Sequence, residues 1–299
     1  MPSPADAGDA WLFEAIGTAW RIDAARGLDD DDRSAVLARV ERFDRDWSRF
    51  RDDSLVARIA AARDGGEWPL PNDAGPLLDL YERLHAATGG RVSPLVGASL
   101  ERLGYDATYR LRPSGEPVPA PAWAETLDLE RADAGAVRLR TRTGVLLDVG
   151  AAGKGYLVDL VGDLLAARGA VETVVDGSGD LRALGGAGIR VALENPANPT
   201  KAVGVVELRD AALAASSPSR RAWGEGLHHI IDAVTGRPVG GIIGTWVVAA
   251  TALEADGLAT ALFVAEPAEL EAAFDFTWVR MFSDGRLEAS VRWEGELFR

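Results

Sequence analysis

The sequence predicts an α+β fold with mixed sheets, and three patterns carry that expectation. Several segments place apolar residues at helical spacing, short β-branched runs end in Gly and Asp turns, and helices and strands alternate without a strict βαβ rhythm. Trp11 to Ile22 reads as an extended segment with a bend or close backbone approach at Gly17. Asp29 to Asp32 supply the acidic start of a helix whose apolar positions are Val36, Leu37, Val40, Phe43 and Trp47. A second helix is expected over 74–87, stopped by Gly89-Gly90. Residues 111–133, rich in Pro and acidic side chains, read as a surface excursion. Val137 to Val149 reads as a hairpin turning at Thr143-Gly144. A glycine loop, Gly150-Ala-Ala-Gly-Lys-Gly155, then leads into a helix with Leu157, Leu160, Val161, Leu164 and Leu165 on one side. Strands follow at Val171–Val175, Ile189–Leu193, Val203–Leu208 and Thr245–Ala249. A helix over 252–263 and a hairpin, Trp278–Phe282 with Leu287–Val291 around Asp284-Gly285, close the chain.

The 299 residues suffice for one large domain or two modest ones, and 47% hydrophobic content with nine Trp fits a globular core. Thirty-two Lys+Arg against 46 Asp+Glu leave a net charge of −14, a field that repels nucleic acid and anionic membrane surfaces. A phosphorylated ligand therefore needs its charge met locally, by a metal ion, a helix N-terminus or a single Lys. The absence of Cys removes disulfides, thiol nucleophiles and Cys-ligated metals. The polar start, Met1 to Ala10, shows no signal-peptide pattern and no apolar run reaches membrane-spanning length, so a cytoplasmic location is expected.

The loop at 150–155 lacks the spacing of a nucleotide-hydrolase phosphate loop. It can still present amides, a helix N-terminus and the Lys154 charge to an anion, or be a plain strand-to-helix turn. Asp176-Gly-Ser-Gly-Asp180 misses the third glycine of a dinucleotide fingerprint. It could let a flat ligand lie on the backbone, or simply turn the chain. His229 follows His228 and precedes Asp232; a neutral imidazole there can serve as a general base or pair on the surface. Asp256 and Thr260, four apart on a helix, put hard oxygens on one face, a pattern that suits Mg²⁺, although spacing alone favours a helix-start carboxylate and a Thr bonded to its own backbone.

Taken in order, these motifs resemble the ApbE family of FAD:protein FMN transferases. The landmarks are Ala15-Ile-Gly-Thr-Ala-Trp20, Ser48-Arg-Phe-Arg-Asp-Asp-Ser54, Thr88-Gly-Gly-Arg-Val-Ser-Pro-Leu-Val-Gly97, Leu147-Asp-Val-Gly-Ala-Ala-Gly-Lys-Gly-Tyr-Leu-Val-Asp159, Asp176-Gly-Ser-Gly-Asp-Leu-Arg182, His229-Ile-Ile-Asp232 and Ala255-Asp256 with Thr260-Ala261. The resemblance implies a two-lobed mixed-sheet α+β fold with a ligand cleft between the lobes, read here as a single domain over 1–299. It implies FAD as substrate, Mg²⁺ on its pyrophosphate, and transfer of FMN to a Thr or Ser hydroxyl of an acceptor flavoprotein with release of AMP. It also implies Asp256, Thr260 and the Ala151 carbonyl as metal ligands and His229 as the base. Lys154, Asp159, Gly177, Ser178, Gly179, Asp180, Ser93 and Asp232 are the implied flavin-nucleotide contacts. Three positions depart from the family pattern: Ser93 for Asp, Ser178 for Gly and Ala233 for Pro. Those departures leave FAD binding, or FAD hydrolysis to FMN and AMP without transfer, as the alternative activities.

Overall fold

The computed structural model describes residues 10–132, 136–186 and 188–298, so Met1 to Asp9 and Asp133, at the end of the Pro-rich excursion, lie outside the described residues. Strands β1 (Trp11–Ala15) and β2 (Thr18–Ala24) form a hairpin. Its two turn residues, Ile16 and Gly17, both have positive φ (46° and 74°), as a tight two-residue turn requires. Helix α1 (Asp30–Trp47) starts in a capping box between Asp29 and Asp32 and buries Val36, Val40, Phe43 and Trp47. Leu37 instead faces outward, because one step along a helix turns the side chain off the buried stripe. Helix α2 (Leu55–Ala61) is capped by the Ser54 hydroxyl, and α3 (Gly75–Ala87) spans the predicted second helix.

The segment 111–149 differs from expectation. Strands β3 (Gly66–Pro69), β4 (Leu127–Arg131) and β5 (Val137–Thr141) form a sheet in the order β3-β5-β4, so the excursion contributes a strand, β4, as well as surface. The expected hairpin across Thr143-Gly144 does not form. Both edges of β5 are already paired, Gly144 is pressed against the Ala60 carbonyl, and the Asp148 amide donates to Pro94 O at 2.7 Å.

The chain then runs through α4 (Gly97–Arg102), α5 (Trp123–Thr126), α6 (Gly153–Ala167), β6 (Thr173–Asp176), β7 (Asp180–Leu184), β8 (Ile189–Asn195), β9 (Asn198–Leu208) and β10 (Ala212–Ser216). Four two-residue strands follow: β11 (Ala222–Trp223), β12 (Leu227–His228), β13 (Ile231–Asp232) and β14 (Arg237–Pro238). Then come β15 (Ile242–Ala249), α7 (Ala252–Ala261), α8 (Pro267–Glu271), β16 (Thr277–Phe282), β17 (Leu287–Ala289) and β18 (Glu296–Leu297). The strand β10, Ala-Leu-Ala-Ala-Ser, carries no β-branched residue and escaped the sequence patterns.

Eight strands build the main sheet in the order β1-β2-β6-β7-β10-β15-β16-β17. The α+β class with several sheets holds, and every described strand pairing is antiparallel, so directions do not mix within the sheets. Successive side chains alternate between two cores. Val175, Ala212, Ala214, Val247 and Trp278 join the larger core with residues of α1, α3, α6 and α7. Leu213, Trp246 and Val279 join a second core closed by the β8–β9 ribbon. Among the described residues no helix is long and apolar enough to cross a membrane.

Candidate active site

Helices α6 and α7 meet on the larger-core face of the sheet, and Gly155 sets how closely. A Cβ there would run into the Ala252 carbonyl oxygen and come within 2.7 Å of Asp256 Cβ. Without it, the Gly155 amide donates to Asp256 Oδ2 at 2.9 Å. One turn further along α7, Thr260 Oγ1 donates to the Ala151 carbonyl at 3.3 Å. Three oxygens therefore converge: the Asp256 carboxylate, the Thr260 hydroxyl and the Ala151 carbonyl.

Asp180 enters from the start of β7 and is 1% exposed. It adjoins Asp256, and Lys154 Nζ lies 2.6 Å from its Oδ2 as an ion pair. Burial pushes the Asp256 carboxyl well above the usual range and the neighbouring Asp180 charge adds to the rise. Burial raises Asp180 as well, against the pull of Lys154. Two buried carboxyls with one ammonium hold a proton between them or attract a further cation. Among the described residues no group of three or more His, Asp or Glu side chains is arranged to hold a metal. One carboxylate, one hydroxyl and one carbonyl nevertheless make the hard-oxygen set that Mg²⁺ accepts when substrate phosphates complete its shell.

Asp180 was expected to accept hydrogen bonds from a flavin on the turn. It is buried beside Lys154 and Asp256. The turn itself is built as a tight approach: Gly177 packs under the Trp20 ring and Gly179 takes φ +104°, while Ser178 is exposed and held at φ +62°. Asp159, expected beside the phosphates, is committed to the scaffold. Its oxygens accept the Ala252 and Leu253 amides at 3.0 and 2.8 Å, capping α7, and Oδ1 lies 3.2 Å from Arg182 Nη1. Burial outweighs these partners and lifts its pKa to about 6. Ser93 is likewise turned into the fold, where its Oγ accepts the Leu95 amide at 3.2 Å and caps a short 3₁₀ turn at Pro94–Val96. Asp232 Oδ1 accepts the Val234 amide at 2.8 Å, bracing the turn between β13 and β14. Ala233 donates its own amide to Arg91 O at 3.0 Å, a bond a proline could not make.

The two adjacent histidines have different roles. His228 is buried; its Nε2 donates to Val239 O at 2.9 Å and its Nδ1 accepts the Ile230 amide at 3.3 Å, so neither nitrogen is free. His229 is half-buried, with Nδ1 3.3 Å from Arg221 O and no partner for Nε2 among the described residues. Burial first, then the Arg221 charge, push its pKa down to about 4, leaving a neutral imidazole at physiological pH.

Asp148 is a carboxylate whose charge acts on this imidazole. Its charge favours protonation of His229, and with the Asp256 charge it adds to burial in raising the pKa of Tyr81, a buried tyrosine on α3. Asp148 Oδ1 accepts the Gly150 amide at 2.7 Å, and Oδ2 accepts Arg49 Nε at 2.5 Å. Arg49 in turn lines a groove of about 1050 Å³ with Phe50, Ala57, Ala98, Glu101 and Leu146. The acid cluster does not itself line that groove. Arg49, Tyr81 and Asp148 were not singled out from the sequence; Arg49 and Asp148 stand inside motifs that were, but only their contacts reveal them.

A model of the ApbE family matches residues 16–278 of the chain. A relative from Klebsiella pneumoniae (strain 342), named FAD:protein FMN transferase, is 28% identical over 290 residues, covering 89% of this chain and 81% of its own. The protein of the same name from Escherichia coli (strain K12) is 26% identical over 295 residues, covering 89% and 82%. The crystal structure of the ApbE protein from Thermotoga maritima superposes with a TM-score of 0.79 at 21% identity, covering 95% of this chain and 97% of that one. The flavin transferase ApbE from Vibrio cholerae superposes with a TM-score of 0.77 at 22% identity, covering 95% and 98%. At these identities the structural likeness establishes the fold.

Proposed function

The chain belongs to the ApbE family, and from that membership we propose that it is a Mg²⁺-dependent FAD:protein FMN transferase acting on a Thr or Ser hydroxyl of an acceptor flavoprotein. The observation that carries the reading is the convergence of Asp256, Thr260 and the Ala151 carbonyl beside the buried Lys154–Asp180 pair. In a protein of net charge −14, this is where an anionic diphosphate can find compensating charge. These three oxygens would hold the Mg²⁺, which when bound supplies positive charge to the diphosphate.

The remaining roles belong to the chain's own groups. Lys154, 21% exposed at the side chain, offers its ammonium to the phosphates while Asp180 holds it in place. Gly179, where a Cβ would meet nothing closer than 3.7 Å, lets a flat ring approach the β6–β7 backbone, while Gly177 makes room for the Trp20 ring. His229 Nε2 takes the proton of the acceptor hydroxyl as its oxygen forms a bond to the FMN phosphorus. The P–O bond to the second phosphorus breaks, and AMP leaves with the electron pair. Asp159 acts at one remove, by fixing the start of α7 and so the position of Asp256.

Incubation with FAD, Mg²⁺ and a flavin-accepting domain tests this reading: a fluorescent acceptor band that survives denaturation is expected, with one AMP released per label. AMP and free FMN without a labelled acceptor indicate hydrolysis. Intact FAD after prolonged incubation indicates a binding protein, and either outcome overturns transfer.

A further inference from the structure

Arg221 begins the segment that leads into β11, and among the described residues it makes no salt bridge with a carboxylate, in a protein with 46 Asp and Glu. Its guanidinium is occupied differently: Nη1 donates to the Tyr105 hydroxyl at 3.1 Å. Tyr105 is buried and held on several sides. It stacks on Trp223 at 5.3 Å, meets the Phe50 ring edge-on at 5.4 Å, and lies under the Arg49 guanidinium at 4.9 Å. Trp223 Nε1 donates to Leu103 O at 3.0 Å. Residues 221–223 are therefore tied at both ends to residues 103–105, which come from a distant part of the chain.

The backbone of Arg221 faces the proposed base. Its carbonyl accepts the His229 amide at 3.3 Å and lies 3.3 Å from His229 Nδ1. A carbonyl oxygen only accepts, so Nδ1 must carry the hydrogen and Nε2 keeps its lone pair. We infer that Arg221, locked to Tyr105, is the positioning residue of this site: its carbonyl selects the Nε2-basic tautomer of His229 and its side chain keeps a positive charge beside the ring. The inference rests on His229 being the base.

The charges that face His229 are Arg221 and His228, which disfavour protonation, and Asp148, which favours it. Burial adds to the first two. If the Arg221 charge leaves the ring, Asp148 acts with less opposition and the imidazole should protonate at higher pH.

The test uses the full chain in four forms: wild type, Arg221→Gln, Arg221→Lys and Tyr105→Phe, which loses only the hydroxyl. ¹⁵N-histidine NMR reads the His229 tautomer and titration midpoint, and AMP release from FAD with Mg²⁺ and the flavin-accepting domain reads kcat and KM against pH. In Arg221→Gln and Tyr105→Phe the midpoint and the acid limb of kcat should both rise by about half a pH unit or more, roughly threefold in proton affinity. KM for FAD should stay within about twofold, and Arg221→Lys should restore most of the wild-type profile. A midpoint unchanged in Arg221→Gln, or a wild-type His229 whose proton sits on Nε2, overturns the inference, as does a change in KM alone. A separate His229→Gln variant that still releases AMP at the wild-type rate would refute the base assignment, while the NMR titration would still decide whether Arg221 positions the ring.

Discussion

Replacing Gly155 by Ala should damage both the fold and the site, because one hydrogen atom's worth of space at this position sets the distance between α6 and α7. The new Cβ would strike the Ala252 carbonyl oxygen and sit 2.7 Å from Asp256 Cβ, where ordinary contact begins at 3.4 Å. Neither obstacle is a flexible side-chain end, so the helices must separate. Overpacking of this kind costs about 1–3 kcal/mol. Separation also stretches the Gly155 amide bond to the buried Asp256 carboxyl, which contributes about 0.5–1.5 kcal/mol to a neutral acceptor and more when the carboxyl is ionised. A combined loss of about 3 kcal/mol corresponds to a fall in Tm of roughly 5–10 °C for a domain of this size. Because Asp256 and Thr260 move together with α7, AMP release from FAD in the presence of the acceptor domain should drop by about a hundredfold. Scanning calorimetry and AMP release measured on Gly155→Ala check both parts. Gly240→Ala is the control, since nothing lies within 4 Å of its Cβ. A Gly155→Ala protein with wild-type Tm and turnover would refute the close-approach argument.

Further outcomes follow from individual side chains. Ser178→Gly should stabilise the protein by about 0.5–1 kcal/mol, because Ser178 is held at φ +62° and glycine pays no steric cost there; the urea midpoint measures it, and a lower midpoint contradicts the strain. Asp256→Asn should abolish Mg²⁺-dependent AMP release while the chain remains folded by circular dichroism; undiminished turnover removes Asp256 from the metal set. Asp159 has a folded-state pKa of about 6, raised by burial above its ordinary carboxylate value. The folded state therefore binds this proton more tightly, and the associated stability is present at low pH and lost as pH rises towards about 6. Relative to Asp159→Asn, the wild type should lose stability between about pH 4 and 6 and show a flat difference above it, as followed by urea denaturation at each pH. A difference that does not change over that interval contradicts the raised pKa.

Much of this protein could be read locally. Helix α1 was legible because its cap and its apolar stripe lie within one short stretch, and Asp256 and Thr260 were legible as a pair because helical spacing alone puts them on one face. The hairpin at β16–β17 announced itself through Asp284-Gly285, with Gly285 at φ +88°. The expected return strand after Thr143-Gly144 failed for a reason outside its own sequence: both edges of β5 were taken by β3 and β4.

The site divides in the same way. Residue types and short spacings singled out Asp256 with Thr260, Lys154 and the pair of histidines as candidates, since those depend on neighbours a few residues away, whereas the Ala151 carbonyl entered only through the family resemblance. Only the folded chain could decide that Asp180 adjoins Asp256, that Asp159 caps α7, that among the described residues both nitrogens of His228 are bonded while His229 Nε2 is not, and that Asp148 pairs with Arg49 beside the groove. Each of these depends on which distant strands pair and how closely two helices approach, and long-range contacts of that kind leave no periodic trace along the chain.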